Sequence, residues 1–135
     1  MVGMNSDVAE SRTLQQTASE VTRLMGTYSD DVAFEPRPSD SAHVRAHQLI
    51  VWVTDAGFPY GASDVYTDQD GALRLQWTGG GRQVKVVFPF SEAENPYLYF
   101  SGGDEFDVDA NPGPEEILKR LRWVFGLDDS RQRAA

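Results

Sequence analysis

Hydrophobic residues near the start of the chain recur at a helical period. In the first candidate helix, apolar side chains three or four positions apart form one stripe: Leu14, Ala18, Val21 and Met25. This spacing predicts an amphipathic helix with a single buried face. Gly26 follows the stripe and can end the helix.

A second helix is predicted to begin after Ser39, because serine is favoured as an N-cap and Asp40 adds an acid to the first turn. Its end is predicted at Gly57, since glycine suits the position after a helix and Pro59 prevents continuation. The apolar face of this helix consists of Ala42, Ala46, Leu49, Val53 and Ala56.

The opposite face of the second helix carries Val44 and Val51, seven positions apart, and Trp52 flanks the apolar face. These three residues predict a second contact surface, which either the first helix or another subunit could cover. A homodimer that pairs through Val44, Val51 and Trp52 is therefore one structural alternative.

From position 64 to 109 the hydrophobic period changes to two, which is typical of strands with one buried face. Turn-forming residues separate the alternating segments, and Asp-Gln-Asp-Gly at 68–71 is a strong hairpin signal. The predicted strands cover 64–67, 72–78, 81–90, 97–101 and 105–109.

The C-terminal stretch returns to a helical pattern, with Pro114 at its first position, Glu115 and Glu116 in its first turn, and Gly126 after its last apolar residue. We therefore predict a single α+β domain over 1–135. It has two N-terminal helices, an antiparallel β-meander of four to five strands, and a C-terminal helix packed on one sheet face. Residues 1–10 and 128–135 are predicted to be frayed tails.

Three glycines at 79–81 could bind a phosphate or turn a hairpin. A phosphate-binding loop needs GxxxxGK[ST] between a strand and a helix, whereas this cluster lies between two alternating segments. A two-residue turn at Gly79-Gly80 places Leu75 opposite Val84 and Leu73 opposite Val86, while a three-residue loop mixes apolar with charged residues. The apolar pattern therefore favours a hairpin with a two-residue turn.

That register makes Arg74 and Lys85 neighbours on the outer face of the sheet, where like charges need an acidic neighbour. A three-residue loop at 102–104 is predicted for the next hairpin, and it sets Phe100 opposite Phe106. The same outer face then also carries Tyr97, Tyr99, Glu105, Asp107 and Asp109. Tyrosine beside charge is typical of protein interfaces, so these residues are the predicted partner-binding site. A one-residue slip would turn the two tyrosines inward.

The net charge of −9 comes almost entirely from positions 91–116, which hold eight acids and no base. This acidity disfavours direct binding to nucleic-acid phosphates and favours a basic protein partner. A solvated face that only aids solubility is the alternative. The absence of cysteine excludes disulfides and thiolate metal sites and fits a cytoplasmic protein. Neither a membrane-spanning stretch nor a signal peptide is expected.

Catalytic chemistry finds little support in the sequence. His43 and His47 lie one helical turn apart, but HExxH needs a glutamate after the first histidine and Val44 stands there. A third metal ligand would have to come from elsewhere, for example Asp64 or Asp68. No GxSxG motif occurs. We expect no enzyme, cofactor or metal, with a small hydrolase or a histidine metal site as the minor alternative.

The segment 64–77 resembles a hairpin pattern, P-T-x-D-G-G-[IL]-x-L-E-W, of small uncharacterised bacterial proteins. Ala72 and Gln76 depart from that pattern, and Tyr28 stands where a preceding loop of the family has tryptophan. The resemblance covers about 26–90, implies a bacterial or phage origin, and transfers no catalytic residue. The matching positions are Thr67, Asp70, Gly71, Leu73, Leu75 and Trp77.

These observations favour a non-catalytic, acidic interaction module that binds and inhibits a basic protein, as an antitoxin, an immunity protein or a phage anti-defence inhibitor does. Acids at alternate strand positions are about 6.6–6.8 Å apart, close to the phosphate spacing of a DNA strand. Mimicry of nucleic acid is therefore a further hypothesis for the acidic face.

Overall fold

The computed structural model describes residues 13–26 and 38–127; the predicted tails and the segment 27–37, with Tyr28, lie outside these ranges. Within these two ranges, three helices and five strands follow one another in the predicted order. They are α1 (Leu14–Gly26), α2 (Asp40–Asp55), β1 (Asp64–Thr67), β2 (Leu73–Gly79), β3 (Arg82–Phe88), β4 (Tyr97–Gly102), β5 (Glu105–Ala110) and α3 (Pro114–Val124).

The five strands form one antiparallel sheet in the order β1-β2-β3-β4-β5, so the predicted α+β meander is confirmed. Alternate residues of β2 and β3 face the helices and are fully buried, among them Leu75, Trp77 and Val86. The main contacts of α2 and α3 with the sheet are to β2 and β3, and α1 packs on α2 and β1. The helices therefore cover one face of the sheet and leave the other, outer face uncovered by any described element.

The caps of the helices follow the sequence signals. The Ser39 hydroxyl accepts the Ala42 amide at 3.1 Å, and Pro114 opens α3. Ala56, predicted on the buried face of α2, is instead its exposed C-cap, because the chain leaves the helix there and turns at Gly57 with a φ of +89°. No helix in the described ranges is long and apolar enough to cross a bilayer.

The β2–β3 hairpin has the predicted two-residue turn, but one residue further on, at Gly80-Gly81. Both glycines have a positive φ, +56° and +80°, as a type I′ turn requires. Gly79 instead ends β2, where a Cβ atom would lie 3.1 Å from the Phe125 ring. The predicted turn at Gly79-Gly80 is therefore wrong by one position, because Gly79 provides room for the end of α3.

This shift changes the partners across the hairpin without changing their faces. Leu75 pairs with Val86 rather than with Val84, so apolar still meets apolar on the helix side. The predicted pair of Arg74 with Lys85 is wrong: Lys85 pairs with Gln76, and Arg74 pairs with Val87. Both cations stay on the outer face, but they no longer oppose each other directly.

Candidate interaction surface on the outer face of the sheet

The β4–β5 hairpin turns through two residues, Gly103 and Asp104, and not through the predicted three. Gly102 pairs with Glu105 at the end of the ladder. Gly103 has a φ of +59°, as the first central residue of a type II′ turn requires. A change of one residue in the loop moves every β5 side chain to the opposite face.

The acids of β5 consequently lie on the helix side of the sheet. Leu98 and Phe100 face the core, and their cross-strand partners are Asp109 and Asp107. Glu105 shares that side by alternation. The predicted face that combines these acids with Tyr97 and Tyr99 is therefore wrong, because the tyrosines stay on the outer face.

The acids on the helix side also protect an open edge. β5 is an edge strand, and all of its residues except Asp109 are exposed. The Asp107 carboxylate accepts the Val108 amide at 2.8 Å. Charged side chains on an exposed edge strand oppose pairing with another sheet. These acids are thus explained by protection of the sheet edge, without any contact to a partner.

In place of the acids, the outer face presents rings and apolar groups. Phe106 is 62% exposed and Val108 is 47% exposed, the former in edge-to-face contact with Tyr99 at 5.2 Å between ring centres. We call the following set the aromatic face: Tyr66, Lys85, Tyr97, Tyr99, Phe106 and Val108.

Lys85 stands at the middle of the aromatic face, on the central strand β3. Its ammonium lies 5.7 Å from the centre of the Tyr99 ring and 5.9 Å from that of Tyr66, at the outer limit of a cation–π contact. Among the residues that the structure describes, Lys85 forms no salt bridge. The cation is therefore flanked by rings, and no described carboxylate is in direct contact with it.

Arg74, the other cation of the outer face, is already neutralised. Its Nε donates to Asp68 at 2.8 Å, and the Asp68 carboxylate also accepts the amides of Asp70 and Ala72. Burial raises the pKa of Asp68, but the hydrogen bonds from Arg74 and from the two amides outweigh it, so this pKa lies below its usual value. The acid that balances Arg74 therefore belongs to the β1–β2 turn and not to β5.

The two histidines of α2 lie together, with ring centres 4.6 Å apart, and His47 Nε2 is 3.2 Å from the Thr22 hydroxyl of α1. Burial, and secondarily the charge of His43, lower the pKa of His47. Neither Asp64 nor Asp68 completes a site with them: in the described ranges no three His, Asp or Glu residues are placed to hold a metal ion.

The second surface predicted on α2 is exposed, with Val44 at 50% and Val51 at 58% of their full accessibility. They line a shallow, mostly apolar depression together with the two histidines. Trp52 does not belong to this surface, because it is half-buried and packs against the core. Of the three residues predicted for this surface, Val44 and Val51 therefore belong to it and Trp52 does not.

The register of the β4–β5 hairpin can be tested directly, since the chain contains no cysteine. In the observed register Ser101 pairs with Phe106, so a Ser101→Cys/Phe106→Cys variant is expected to form a disulfide under mild oxidation. The matched Ser101→Cys/Glu105→Cys variant represents the three-residue loop and is expected to stay mostly reduced. Thiol titration measures both, and a preferred 101–105 disulfide contradicts the placement of the aromatic face.

Comparisons with known proteins identify no relative: no family model matches the chain, and no curated protein or solved structure matches it significantly. The hairpin resemblance to small bacterial proteins thus stays a prediction. Function has to be argued from the surfaces of this molecule.

Proposed function

We propose that this chain is a non-catalytic interaction module that docks a protein partner on the aromatic face. The observation that supports this most is the exposure of Phe106 and Val108 beside Tyr99 on a sheet face that no described element covers. Contiguous exposed apolar groups are uncommon on monomers, and aromatic residues are enriched at the centres of protein interfaces. Tyrosines are also frequent among the residues that dominate binding energy.

The charge of the chain favours a partner that is basic overall. A net charge of −9 attracts positive proteins over a distance and accelerates their association. Acids at the β5 edge, such as Glu105 and Asp107, would contact the rim of such a partner and not its centre. Nucleic-acid mimicry is not part of the proposal, because the acidic ladder and the rings lie on opposite sides of β5.

Inhibition of the partner follows from the same docking if the aromatic face covers its working surface. This retains the role expected of an antitoxin, an immunity protein or an anti-defence inhibitor. A second candidate, self-association through α2, is supported by the exposure of Val44 and Val51, which lie about two helical turns apart on one side of the helix. Light scattering at high micromolar concentration tests it, since a strict monomer contradicts a dimer.

The docking proposal is tested by affinity capture from a bacterial lysate with a tagged chain, using wild type, Phe106→Ser and the matched surface control Val51→Ser. We expect wild type and Val51→Ser to capture the same basic protein. Phe106→Ser should retain it at least about tenfold more weakly, because an aromatic residue that a partner buries can contribute well over 1 kcal/mol to binding. Quantitative mass spectrometry and then dissociation constants measure the difference. Equal capture by all three chains contradicts the proposal.

Charge reversal at the β5 edge tests, in the same experiment, whether the acids contact the rim of the interface or its centre. Replacing Glu105 and Asp107 with lysine is expected to slow association and to weaken its salt dependence, while dissociation changes little. Loss of the complex through faster dissociation would instead make the acids the main contact.

A further inference from the structure

We infer that Lys85 is a carboxylate-binding position, and that the partner inserts an aspartate or glutamate from the middle of an apolar patch. The inference rests on the proposed function, because it names what the docked surface must contain. It starts from the position of one uncompensated cation within the aromatic face.

Any partner that covers the rings must also cover Lys85. The side chain is half-buried between strands β2 and β4, opposite Gln76 and Tyr99, and Val87 of the same strand is only 1% exposed. Docking therefore removes water from the ammonium group. Burying a charge without a partner is strongly unfavourable, whereas a paired and hydrogen-bonded charge is tolerated.

In the ranges that the structure describes, no carboxylate lies within salt-bridge distance of Lys85. On the outer side of the sheet, Asp68 is engaged by Arg74 and by two backbone amides. Asp64 is exposed on β1, opposite Gln76 and thus one strand further from Lys85 than Gln76 is. The acids of β5 point to the other side of the sheet. A carboxylate of the bound protein would therefore give Lys85 the direct ion pair that it lacks in the described structure.

The chemistry around Lys85 favours a carboxylate. Hydrogen bonds between two charged groups are about twice as strong as neutral ones, so a carboxylate is a better acceptor than a backbone carbonyl. A nucleic-acid strand would supply phosphates and stacking bases, but its many charges would meet a chain of net charge −9. The matching partner surface has a single carboxylate that pairs with the lysine. Apolar side chains around it contact the rings, and basic side chains further out face the acidic edge of β5.

A random 12-residue peptide library displayed on phage serves as the probe, selected on wild type, Lys85→Met, Lys85→Glu and Phe106→Ser. Lys119→Met, at an exposed position of α3, is the matched control for loss of a lysine. We expect wild type and Lys119→Met to select peptides with one aspartate or glutamate beside apolar residues. Lys85→Met should select apolar peptides without the acid, and Lys85→Glu should select peptides with a base. A synthetic wild-type-selected peptide should bind Lys85→Met roughly 10- to 100-fold more weakly.

The outcomes separate carboxylate binding at Lys85 from docking of a partner on the aromatic face. If Phe106→Ser loses the peptides but the wild-type peptides carry no acid, Lys85 is not a carboxylate site, although the aromatic face still docks a partner. If Phe106→Ser selects the same peptides as wild type, or wild type selects none, the docking proposal and the inference both fail. Binding of a fluorescent 15-nucleotide dT strand that Lys85→Met abolishes would also overturn the inference, in favour of single-stranded nucleic acid.

Discussion

Gly61→Ala is expected to displace α1 from the sheet and to lower the free energy of unfolding by about 3 kcal/mol. A Cβ atom at Gly61 would lie 2.0 Å from the Thr13 carbonyl oxygen and 2.6 Å from the Thr17 hydroxyl, so one of the two chain segments has to move. That movement also breaks a buried contact, since the Thr17 hydroxyl accepts the Ala62 amide at 2.8 Å. An unpaired buried amide adds to the cost of the displaced backbone.

Urea denaturation measures this loss, and hydrogen exchange of the α1 amides locates it. Gly113→Ala is the matched control, because Gly113 has no positive φ and no atom within 4 Å of an added Cβ. Because Gly113 is the N-cap of α3, where glycine is favoured over alanine, this change is expected to cost about 1 kcal/mol, clearly less than Gly61→Ala. Equal losses in the two variants would mean that α1 does not pack on Gly61 as described.

The core of the sheet was predictable from the sequence because one face of each central strand is apolar and the other is mostly polar. Leu75, Trp77 and Val84 alternate with polar residues, and a shift of the glycine turn by one position moved the pairing by two residues. A two-residue change preserves the faces, so the error in the turn did not propagate to the core.

The β4–β5 hairpin was not predictable in the same way. The helices do not cover β5, so its two faces are both exposed and the rule that apolar residues point inward does not apply. The inward rule predicts Phe106 opposite Phe100 on the core side, whereas Phe106 pairs with Ser101 and lies on the outer face. The useful signal was local: Gly103 followed by Asp104 fits a type II′ turn, which fixes the register without reference to burial.

The placement of the candidate residues on the sheet was predictable in part. Tyr97, Tyr99, Arg74 and Lys85 do share the outer face, and the acids expected to balance the bases do not. Arg74 is balanced by Asp68, which the turn Asp-Gln-Asp-Gly brings back over the sheet. The acid that pairs with Arg74 thus comes from a turn six residues away, whereas the strand pattern predicted acids from β5, far along the chain.

Trp77→Ala is expected to lower the free energy of unfolding by about 3–5 kcal/mol, the usual cost of truncating a buried tryptophan. Trp77 is fully buried, and its indole nitrogen donates to the Tyr60 carbonyl at 3.0 Å, which ties the segment before β1 to the hairpin. Domains of this kind have about 5–15 kcal/mol of stability in total, so the variant should melt far below wild type.

Trp52→Ala is the control for the loss of an indole, because Trp52 is half-buried at the margin of the core and should cost clearly less. Thermal denaturation followed by circular dichroism compares the two variants. The aromatic face gives a second measurement, since its register depends on the β2–β3 hairpin that Trp77 anchors. Peptides selected on wild type should therefore lose affinity for Trp77→Ala as it unfolds and keep it for Trp52→Ala. A Trp77→Ala chain as stable as Trp52→Ala would contradict a core centred on this residue.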